Sequence, residues 1–233
     1  MKKYIIFSLC FWFSFSSCND WLDVKPQGQK EEEDMYTTYE GFKNALIGCY
    51  IKLKDRNLYG EKLTMSHIES LAQLWDLSAS TRSADVALAQ YDYENTYAKS
   101  AISAIYGNLF NVIVQANSIL EYLDKSGDCI ESPVAYSLIK GEAYAIRAFC
   151  HLDILRLFGQ VPQNPSKRVK LPYAEVVSIK DFPSYYDYAA FCQKLEDDLL
   201  AAEKAMVGVD PVFSRSLTAG GHEYHFLDYR GLR

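Results

Sequence analysis

The sequence lacks any cluster of basic residues. Its 233 residues carry 24 lysines and arginines against 30 aspartates and glutamates, which gives a formal net charge of −6. Binding to nucleic acid depends on clustered Lys and Arg side chains that neutralise phosphates. We therefore exclude DNA and RNA as partners of this chain.

The sequence also lacks the motifs that carry common catalytic chemistry. It contains no nucleophile elbow, phosphate-binding loop or dinucleotide-binding fingerprint. His222 and His225 are three residues apart, whereas the zinc-protease helix needs two histidines four apart. Asp92 and Glu94 lie in a predicted loop, where paired acids are usually solvated rather than set as a glycosidase pair. We predict no catalytic residue, no metal site, no cofactor and no enzymatic activity.

The apolar run at the start of the chain is short. It extends from Tyr4 to Phe15 behind the positively charged Lys2 and Lys3. A helix that crosses ~30 Å of hydrocarbon needs about 20 apolar residues, so this run is too short to span a membrane. The layout is typical of a secretory signal peptide, which we predict over residues 1–17, with an uncleaved anchor as the less favoured alternative.

Small residues precede the cysteine that follows this run. Ser16, Ser17 and Cys18 resemble a bacterial lipobox, in which the chain is cleaved before the cysteine and lipid is attached to its sulfur. The two or three acyl chains of such a cysteine anchor a protein stably to a membrane. Asp20 and Asp23 resemble an acidic signal for export to the cell surface, and a solvated acidic tether is the alternative.

The six cysteines do not form an obvious disulfide framework. Once Cys10 and Cys18 are assigned to the leader and the lipid, four remain, namely Cys49, Cys129, Cys150 and Cys192. Three pairings of these four are possible. Most of them fall on apolar helical stripes, where a free cysteine behaves as a small hydrophobe, so we expect no obligatory disulfide.

Two apolar-striped helices dominate the middle of the chain. The first carries apolar residues at steps of three and four from Ile105 to Leu123 and ends at Gly127. The second begins with Ser132 as N-cap and Pro133 at the first helical position, and Gly159 ends it. Gly141 allows a neighbouring helix to approach closely. Two such helices joined by a short loop predict a helical hairpin of the tetratricopeptide type.

Segments with weaker apolar stripes, and predicted loops, precede and follow this hairpin in the sequence. A first helix carries Phe42 to Leu53 on its apolar face, and another is predicted over residues 62–75. A loop region follows from Ser78 to about Ser100, and residues 163–183 form a second irregular connection. The last helix has the capping pair Ser184 and Asp187 and extends to Met206. Its predicted apolar face contains Tyr188, Cys192, Leu195, Leu199, Ala202 and Met206, with Asp197 and Asp198 on the polar side.

The residue pattern of these segments resembles the N-terminal half of the SusD/RagB family. The resemblance lies in Tyr106-x-x-Leu109 continuing to Ala116-Asn117, in Gly141-Glu142-Ala143 with Arg147-Ala148, and in Phe158-Gly159-x-Val161-Pro162. The start Cys18-Asn19-Asp20-Trp21-Leu22 and the late segment Asp198-Leu199-x-x-Ala202 are similar to that family as well. Together they cover nearly all of the chain after the leader.

This resemblance implies a fold and a function. The fold is all-α, with tetratricopeptide-like hairpins and long irregular loops, in one SusD-like N-terminal domain over residues 18–233. The implied function is capture of a nutrient, usually an oligo- or polysaccharide, at the cell outer membrane and its delivery to a SusC-like TonB-dependent transporter. The lipid on Cys18 is the expected membrane attachment. Family members are about twice this long, so we expect the second half of the family fold to be missing.

The family commonly builds its ligand site from aromatic and polar residues on loops outside the helical pairs. One such loop precedes the helix that begins near Ile102, and the residues we predict as ligand-binding are Trp75, Asp76, Tyr91, Tyr93 and Asn95. Aromatic rings stack on the C–H faces of sugars, and polar groups hydrogen-bond their hydroxyls. The alternative is that Trp75 packs against the first helix. Glu142, Arg147, Asp153 and Arg156 are assigned to the scaffold, with Asp153 and Arg156 paired on the helix surface.

Two other classes of function remain open from the residues. A tetratricopeptide adaptor that binds a protein on the cell surface would use the same hairpins. A surface hydrolase would need a convincing carboxylate pair, which the sequence does not display.

Overall fold

The structure is a computed structural model that describes residues 33–78, 80, 82–177 and 182–210. The chain divides into two units, residues 1–36 and residues 37–233. Of the first unit the structure describes residues 33–36, of which 33–35 are helical. The predicted signal peptide, Cys18 and the histidine pair His222 and His225 lie outside the described residues.

The described part of the second unit is mostly helical, as predicted for an all-α fold. Its helices are α1 (Tyr39–Leu53), α2 (His67–Leu71), α3 (Ser83–Ala89), α4 (Thr96–Ser126), α5 (Pro133–Phe158) and α6 (Tyr188–Met206). A 3₁₀ turn covers Gly127–Cys129, and two short strands, β1 (Leu171–Tyr173) and β2 (Ser184–Tyr186), lie between α5 and α6. The strands pair antiparallel, with Leu171 opposite Tyr186. Among the described residues, no helix is both long and apolar enough to cross a bilayer.

Helix α5 begins and ends where the sequence predicts, and helix α4 ends where the sequence predicts but begins earlier, at Thr96. Ser132 Oγ accepts a hydrogen bond from the Ala135 N–H at 3.3 Å, and Pro133 occupies the first turn. Gly127 caps the end of α4, and Gly159 caps the end of α5. The predicted stripe of α4 is buried from Ile105 to Leu123, and α4 packs against α5. The helical hairpin at the centre of the fold is therefore confirmed.

Helix α6 packs against α5 at Gly141. A Cβ atom built on this glycine would lie 2.3 Å from Met206 Cγ and 3.1 Å from the carbonyl oxygen of Ala202. The two helices therefore approach through the missing side chain, which confirms the close approach predicted at Gly141.

The buried face of α6 differs from the predicted one. Phe191, Asp198 and Ala202 are buried, whereas Leu199 is half-exposed. The assignment of Asp198 to the polar side was wrong, because Asp198 lies on the same face as Phe191 and Ala202. Ser184 belongs to β2, and the N-cap of α6 is Asp187 alone, whose Oδ1 accepts the Ala190 N–H at 3.1 Å.

Asp198 is buried because it pairs with Arg147 of α5. Arg147 Nε donates to Asp198 Oδ2 at 2.7 Å, and Arg147 Nη2 bonds the other carboxylate oxygen. The Tyr173 hydroxyl of β1 donates to Asp198 Oδ2 at 2.6 Å, and Arg147 Nη1 donates to Asn117 Oδ1 of α4 at 2.9 Å. One buried polar network thus joins α4, α5, β1 and α6.

His151 of α5 extends this network to the strand. Its Nδ1 lies 2.9 Å from the carbonyl oxygen of Arg147, and its Nε2 lies 3.1 Å from the backbone nitrogen of Ala174. Since the Ala174 N–H can only donate, Nε2 accepts and Nδ1 carries the proton. The ring stacks on Tyr173 with centroids 3.7 Å apart. Burial lowers the pKa of His151 to about 4.

The other polar residues of α5 also have scaffold contacts, in line with their predicted role. The Tyr50 hydroxyl of α1 donates to Glu142 Oε2 at 2.9 Å. Asp153 accepts hydrogen bonds from Arg156 and from the Tyr59 hydroxyl. The predicted pairing of Asp153 with Arg156 is confirmed, with the Arg156 side chain exposed and the Asp153 side chain buried.

The cysteines of α1 and α5 are unreactive core residues. Cys49 and Cys150 are buried free thiols, as their positions on apolar stripes predict. Burial raises the pKa of Cys49 to about 12 and also raises the pKa of Cys150. Both groups therefore stay protonated and behave as small hydrophobes.

The segment between α1 and α4 was predicted least well. The helix predicted over residues 62–75 is limited to His67–Leu71, and residues 54–65 form turns. The predicted loop region from Ser78 to Ser100 contains α3 and the first turn of α4. The two short helices α2 and α3 pack against each other, and α3 packs against α4.

Candidate functional site

The five residues predicted to bind ligand lie on two loops that begin at the ends of α2 and α3. Trp75 and Asp76 follow α2, and Tyr91, Tyr93 and Asn95 follow α3. We call these five residues the aromatic loop surface. Because α2 packs against α3, the two loops start from adjacent helix ends.

Two hydrogen bonds fix the starts of these loops to each other. The Tyr91 hydroxyl donates to the carbonyl oxygen of Leu71 at 2.9 Å. Gln73 Nε2 donates to the carbonyl oxygen of Ala89 at 2.9 Å. Each loop is thereby tied to the last residue of the opposite helix.

Tyr91 occupies a backbone conformation that usually belongs to glycine. Its φ is 54°, and its N–H bonds the carbonyl of Leu88 while the next N–H, that of Asp92, bonds the carbonyl of Ala87. This is the Schellman pattern of helix ends, in which the left-handed residue is most often glycine. Gln73 ends α2 in the same way with a φ of 56°. An L-residue in this conformation costs about 1–2 kcal/mol, so Tyr91 is held at a strained position.

Trp75 and Asp76 are the two residues of the aromatic loop surface that lie on the first loop. The Trp75 side chain is 55% exposed, and its indole N–H donates to the Glu69 carboxylate of α2. The ring is therefore open to solvent rather than buried against α1. Asp76 Oδ1 accepts the Ser78 N–H at 3.0 Å, and this hydrogen bond lowers the pKa of Asp76. Asp76 is ionised at neutral pH and can accept from a ligand hydroxyl.

Tyr91 and Tyr93 form an exposed aromatic pair on the second loop. They are 52% and 49% exposed, and their ring centroids lie 6.4 Å apart at an interplanar angle of 53°. Within the described residues, no ring contact joins Trp75 to either tyrosine. The structure thus brings the two tyrosines together, and in the part of the chain that it describes Trp75 is connected to them through α2 and Gln73.

Asn95 has a clear local role. Its Oδ1 accepts the Tyr97 N–H at 2.9 Å, which caps the N-terminus of α4. Its own backbone N–H bonds Asp92 Oδ1 at 3.2 Å. The side-chain oxygen is therefore already used, and the amide nitrogen is the group of Asn95 that remains for a ligand.

A cavity lies beside the aromatic loop surface, and the sequence did not indicate it. It has a volume of about 240 Å³ and is lined by residues of α2, α3, α4 and α5 together with Tyr93. Apart from Tyr93 and His67 of α2, every lining residue is Ile, Leu or Phe. Tyr93 belongs to both features.

His67 is held in place by Asp85 of α3. His67 Nδ1 lies 2.6 Å from Asp85 Oδ1, and both side chains are buried. Arg82 Nε pairs with Asp85 Oδ2 at 2.6 Å, and Arg82 Nη2 donates to Glu61 at 3.0 Å. Burial is the largest effect on His67 and lowers its pKa, although the hydrogen bond that His67 donates to Asp85 favours the charged form. His67 is thus neutral at pH 7.

No such pairing was predicted from the sequence. His67 and Asp85 are 18 residues apart, and only the packing of α2 on α3 brings them together. Among the described residues, no group of three His, Cys, Asp or Glu side chains is placed to hold a metal ion.

Comparison with known proteins relates the chain to one family. A SusD-like family model, described as starch-binding and associating with the outer membrane, matches residues 20–205. SusD-like protein P25 of Formosa agariphila is 28% identical over 155 residues, which are 64% of this chain and 29% of that protein. SusD-like protein P2 of the same bacterium is 26% identical over 164 residues, which are 70% of this chain and 31% of that protein. The matched part spans less than a third of the length of these curated relatives.

Proposed function

The chain belongs to this SusD-like family, and from that premise we propose that it binds an oligo- or polysaccharide at the bacterial cell surface. The observation that supports this most directly is the exposure of three aromatic rings on the two adjacent loops. Trp75, Tyr91 and Tyr93 are each about half-exposed, although burial would stabilise them. Exposed aromatic groups on a rigid support are typical of a binding surface.

The aromatic loop surface has the chemistry that a sugar requires. Flat rings stack on the C–H faces of a pyranose, and the Tyr93 hydroxyl is a polar handle at a ring edge. The Tyr91 hydroxyl, which donates to Leu71, can still accept a hydrogen bond from a sugar. Asp76 supplies an ionised acceptor, and the Asn95 amide supplies a donor. The strained backbone of Tyr91 supports the same proposal, since such strain is concentrated at functional sites.

We further propose where the protein acts and with which partners. A lipid on Cys18 is its attachment to the outer membrane, and a SusC-like TonB-dependent transporter receives the bound glycan. The family description, which names association with the outer membrane, supports the location. The protein performs no reaction on the glycan, and nucleic acid is not a partner.

A panel of soluble glycans tests this function. The full chain is titrated by calorimetry with maltooligosaccharides and with other bacterial, plant and host oligosaccharides, and each mixture is then assayed for new reducing ends. The proposal predicts saturable binding of at least one glycan without release of reducing sugar. If none of the glycans binds, the proposal that the chain binds a glycan is rejected. Release of reducing sugar would reject the proposal that the protein performs no reaction.

A further inference from the structure

The cavity beside the aromatic loop surface has a wall suited to an apolar group. Its lining side chains come from four helices and are Ile, Leu or Phe, except for His67 and Tyr93. The volume of about 240 Å³ exceeds the roughly 150 Å³ of an engineered apolar cavity that binds benzene. A benzene-sized ring with one or two substituents therefore fits.

His67 contributes a polar side chain to the lining of this cavity. His67 is 4% exposed, and its Nδ1 donates a hydrogen bond to Asp85. Since Asp85 holds the Nδ1 proton, the neutral ring presents Nε2 as a hydrogen-bond acceptor. Within the described residues Nε2 has no hydrogen-bond partner. Because His67 lines the cavity, a hydroxyl group bound there can donate a hydrogen bond to this nitrogen.

The composition of the wall also excludes a sugar ring. A pyranose carries several hydroxyl groups, and each one that enters an apolar cavity loses the hydrogen bonds that it makes with water. One acceptor on His67 replaces only one of these bonds. A flat aromatic ring with a single hydroxyl loses little by comparison and gains burial against the aliphatic side chains.

We propose that this cavity binds a hydroxyphenyl group, with the ring packed between Ile102 of α4 and the facing aliphatic side chains and the hydroxyl donated to His67 Nε2. The site goes beyond the glycan surface and does not require it. A free phenol and a phenolic substituent on a sugar share this chemistry. Tyr93 lines the cavity and is half-exposed, so a sugar that carries such a substituent reaches both features at once.

The first test uses 4-methylphenol as the probe in calorimetric titrations of the full chain. Ile102→Phe fills part of the cavity, and we expect it to weaken binding of 4-methylphenol by at least tenfold. Val114→Phe makes the same kind of change on an exposed position of the same helix and serves as the matched control. Equal binding by the wild type and Ile102→Phe would overturn the proposal, as would no binding by the wild type.

The second test observes His67 directly in the unmodified chain. The ¹⁵N resonance of His67 Nε2 is expected to move upfield when 4-methylphenol donates a hydrogen bond to it, while Nδ1 stays protonated. Toluene, which lacks the hydroxyl, should leave this resonance nearly unchanged. A saturating phenol titration that leaves the Nε2 resonance where it was would contradict the assigned contact, whatever the variants show.

Two further titrations distinguish the sources of the group. If the hydroxyphenyl group arrives on a sugar, 4-hydroxyphenyl glucoside binds at least as tightly as 4-methylphenol and competes with it. If the source is a free phenol, only 4-methylphenol binds. Both results support the cavity site. A shift of the His67 Nε2 resonance by methyl glucoside, which has no aromatic ring, would overturn it, because that sugar is expected at the loop surface and not in the cavity.

Discussion

Arg147 and Asp198 form a buried, bidentate ion pair that joins α5 to α6. Both side chains are within a few per cent of complete burial, and Tyr173 and Asn117 hydrogen-bond the same pair. A buried charge without its partner is far more costly than a neutral group in the same place. The pair therefore fixes how α6 lies on the central hairpin.

Asp198→Asn should destabilise the protein by about 3–5 kcal/mol, because it leaves the Arg147 guanidinium buried without its counter-charge. Asp197→Asn changes the neighbouring, exposed carboxylate and should alter stability by less than about 0.5 kcal/mol. Urea unfolding followed by circular dichroism measures both values. Similar losses for the two variants would show that the ion pair is not a structural determinant.

Two glycines should respond in opposite directions to alanine. A Cβ at Gly141 meets Met206 and the Ala202 carbonyl, so Gly141→Ala should cost about 1–3 kcal/mol through overpacking. A Cβ at Gly107, on the exposed side of α4, meets nothing within 4 Å. Gly107→Ala should therefore stabilise the protein by about 0.5–1 kcal/mol through helix propensity. Thermal melts show whether each variant is more or less stable than the wild type. A stabilising Gly141→Ala would refute the close approach of α6.

Stability should fall as the pH is lowered from 6.5 to 4. Burial lowers the pKa of His151 from 6.5 to about 4, so in this range the unfolded chain binds a proton that the folded chain does not. The contribution of about 3 kcal/mol is complete above pH 6.5 and is lost as the pH falls towards 4. His151→Gln removes this titration and should flatten the dependence in that window. An NMR titration that finds an ordinary pKa for His151 would contradict the assignment.

Two variants of Asn95 separate its role as the N-cap of α4 from its proposed role in glycan binding. Asn95→Ala removes the cap of α4 and should cost about 1 kcal/mol, whereas Asn95→Asp keeps a capping oxygen and should preserve stability. Asn95→Asp also removes the amide N–H donors, so the proposed site predicts about fivefold weaker glycan binding. Unchanged glycan affinity in Asn95→Asp would leave Asn95 as a helix cap alone.

The long helices could be predicted because their signals are local. The stripe of α4 and the Ser132, Pro133 and Gly159 signals of α5 are determined by a few neighbouring residues. The close approach at Gly141 could also be predicted, since a glycine in a packed helix leaves room for a neighbouring helix. These elements carry the part of the fold that the sequence indicates most clearly.

The short helices and the buried polar groups could not be predicted in this way. Helices α2 and α3 are too short to be stable alone, so their bounds depend on packing against each other and against α4. Asp198 lies among apolar residues only because Arg147 faces it from another helix. His67 and Asp85 meet through the same kind of tertiary contact.

The residues of the aromatic loop surface were predicted from the family resemblance, and their local geometry was not. The sequence indicates aromatic residues in a loop but not that Tyr91 takes a left-handed conformation or bonds Leu71. Asn95 is likewise a cap because α4 begins at Thr96, several residues before the predicted start.

Glycan calorimetry on Trp75→Ala and Tyr93→Ala tests the central claim most directly. The matched control is Tyr185→Ala, which removes a similarly exposed ring from β2, a strand that packs against β1 and α6. With the best glycan of the panel, the loop variants should each bind at least tenfold more weakly, with melting temperatures close to that of the wild type, and Tyr185→Ala should bind normally. Wild-type affinity in both loop variants would contradict the account.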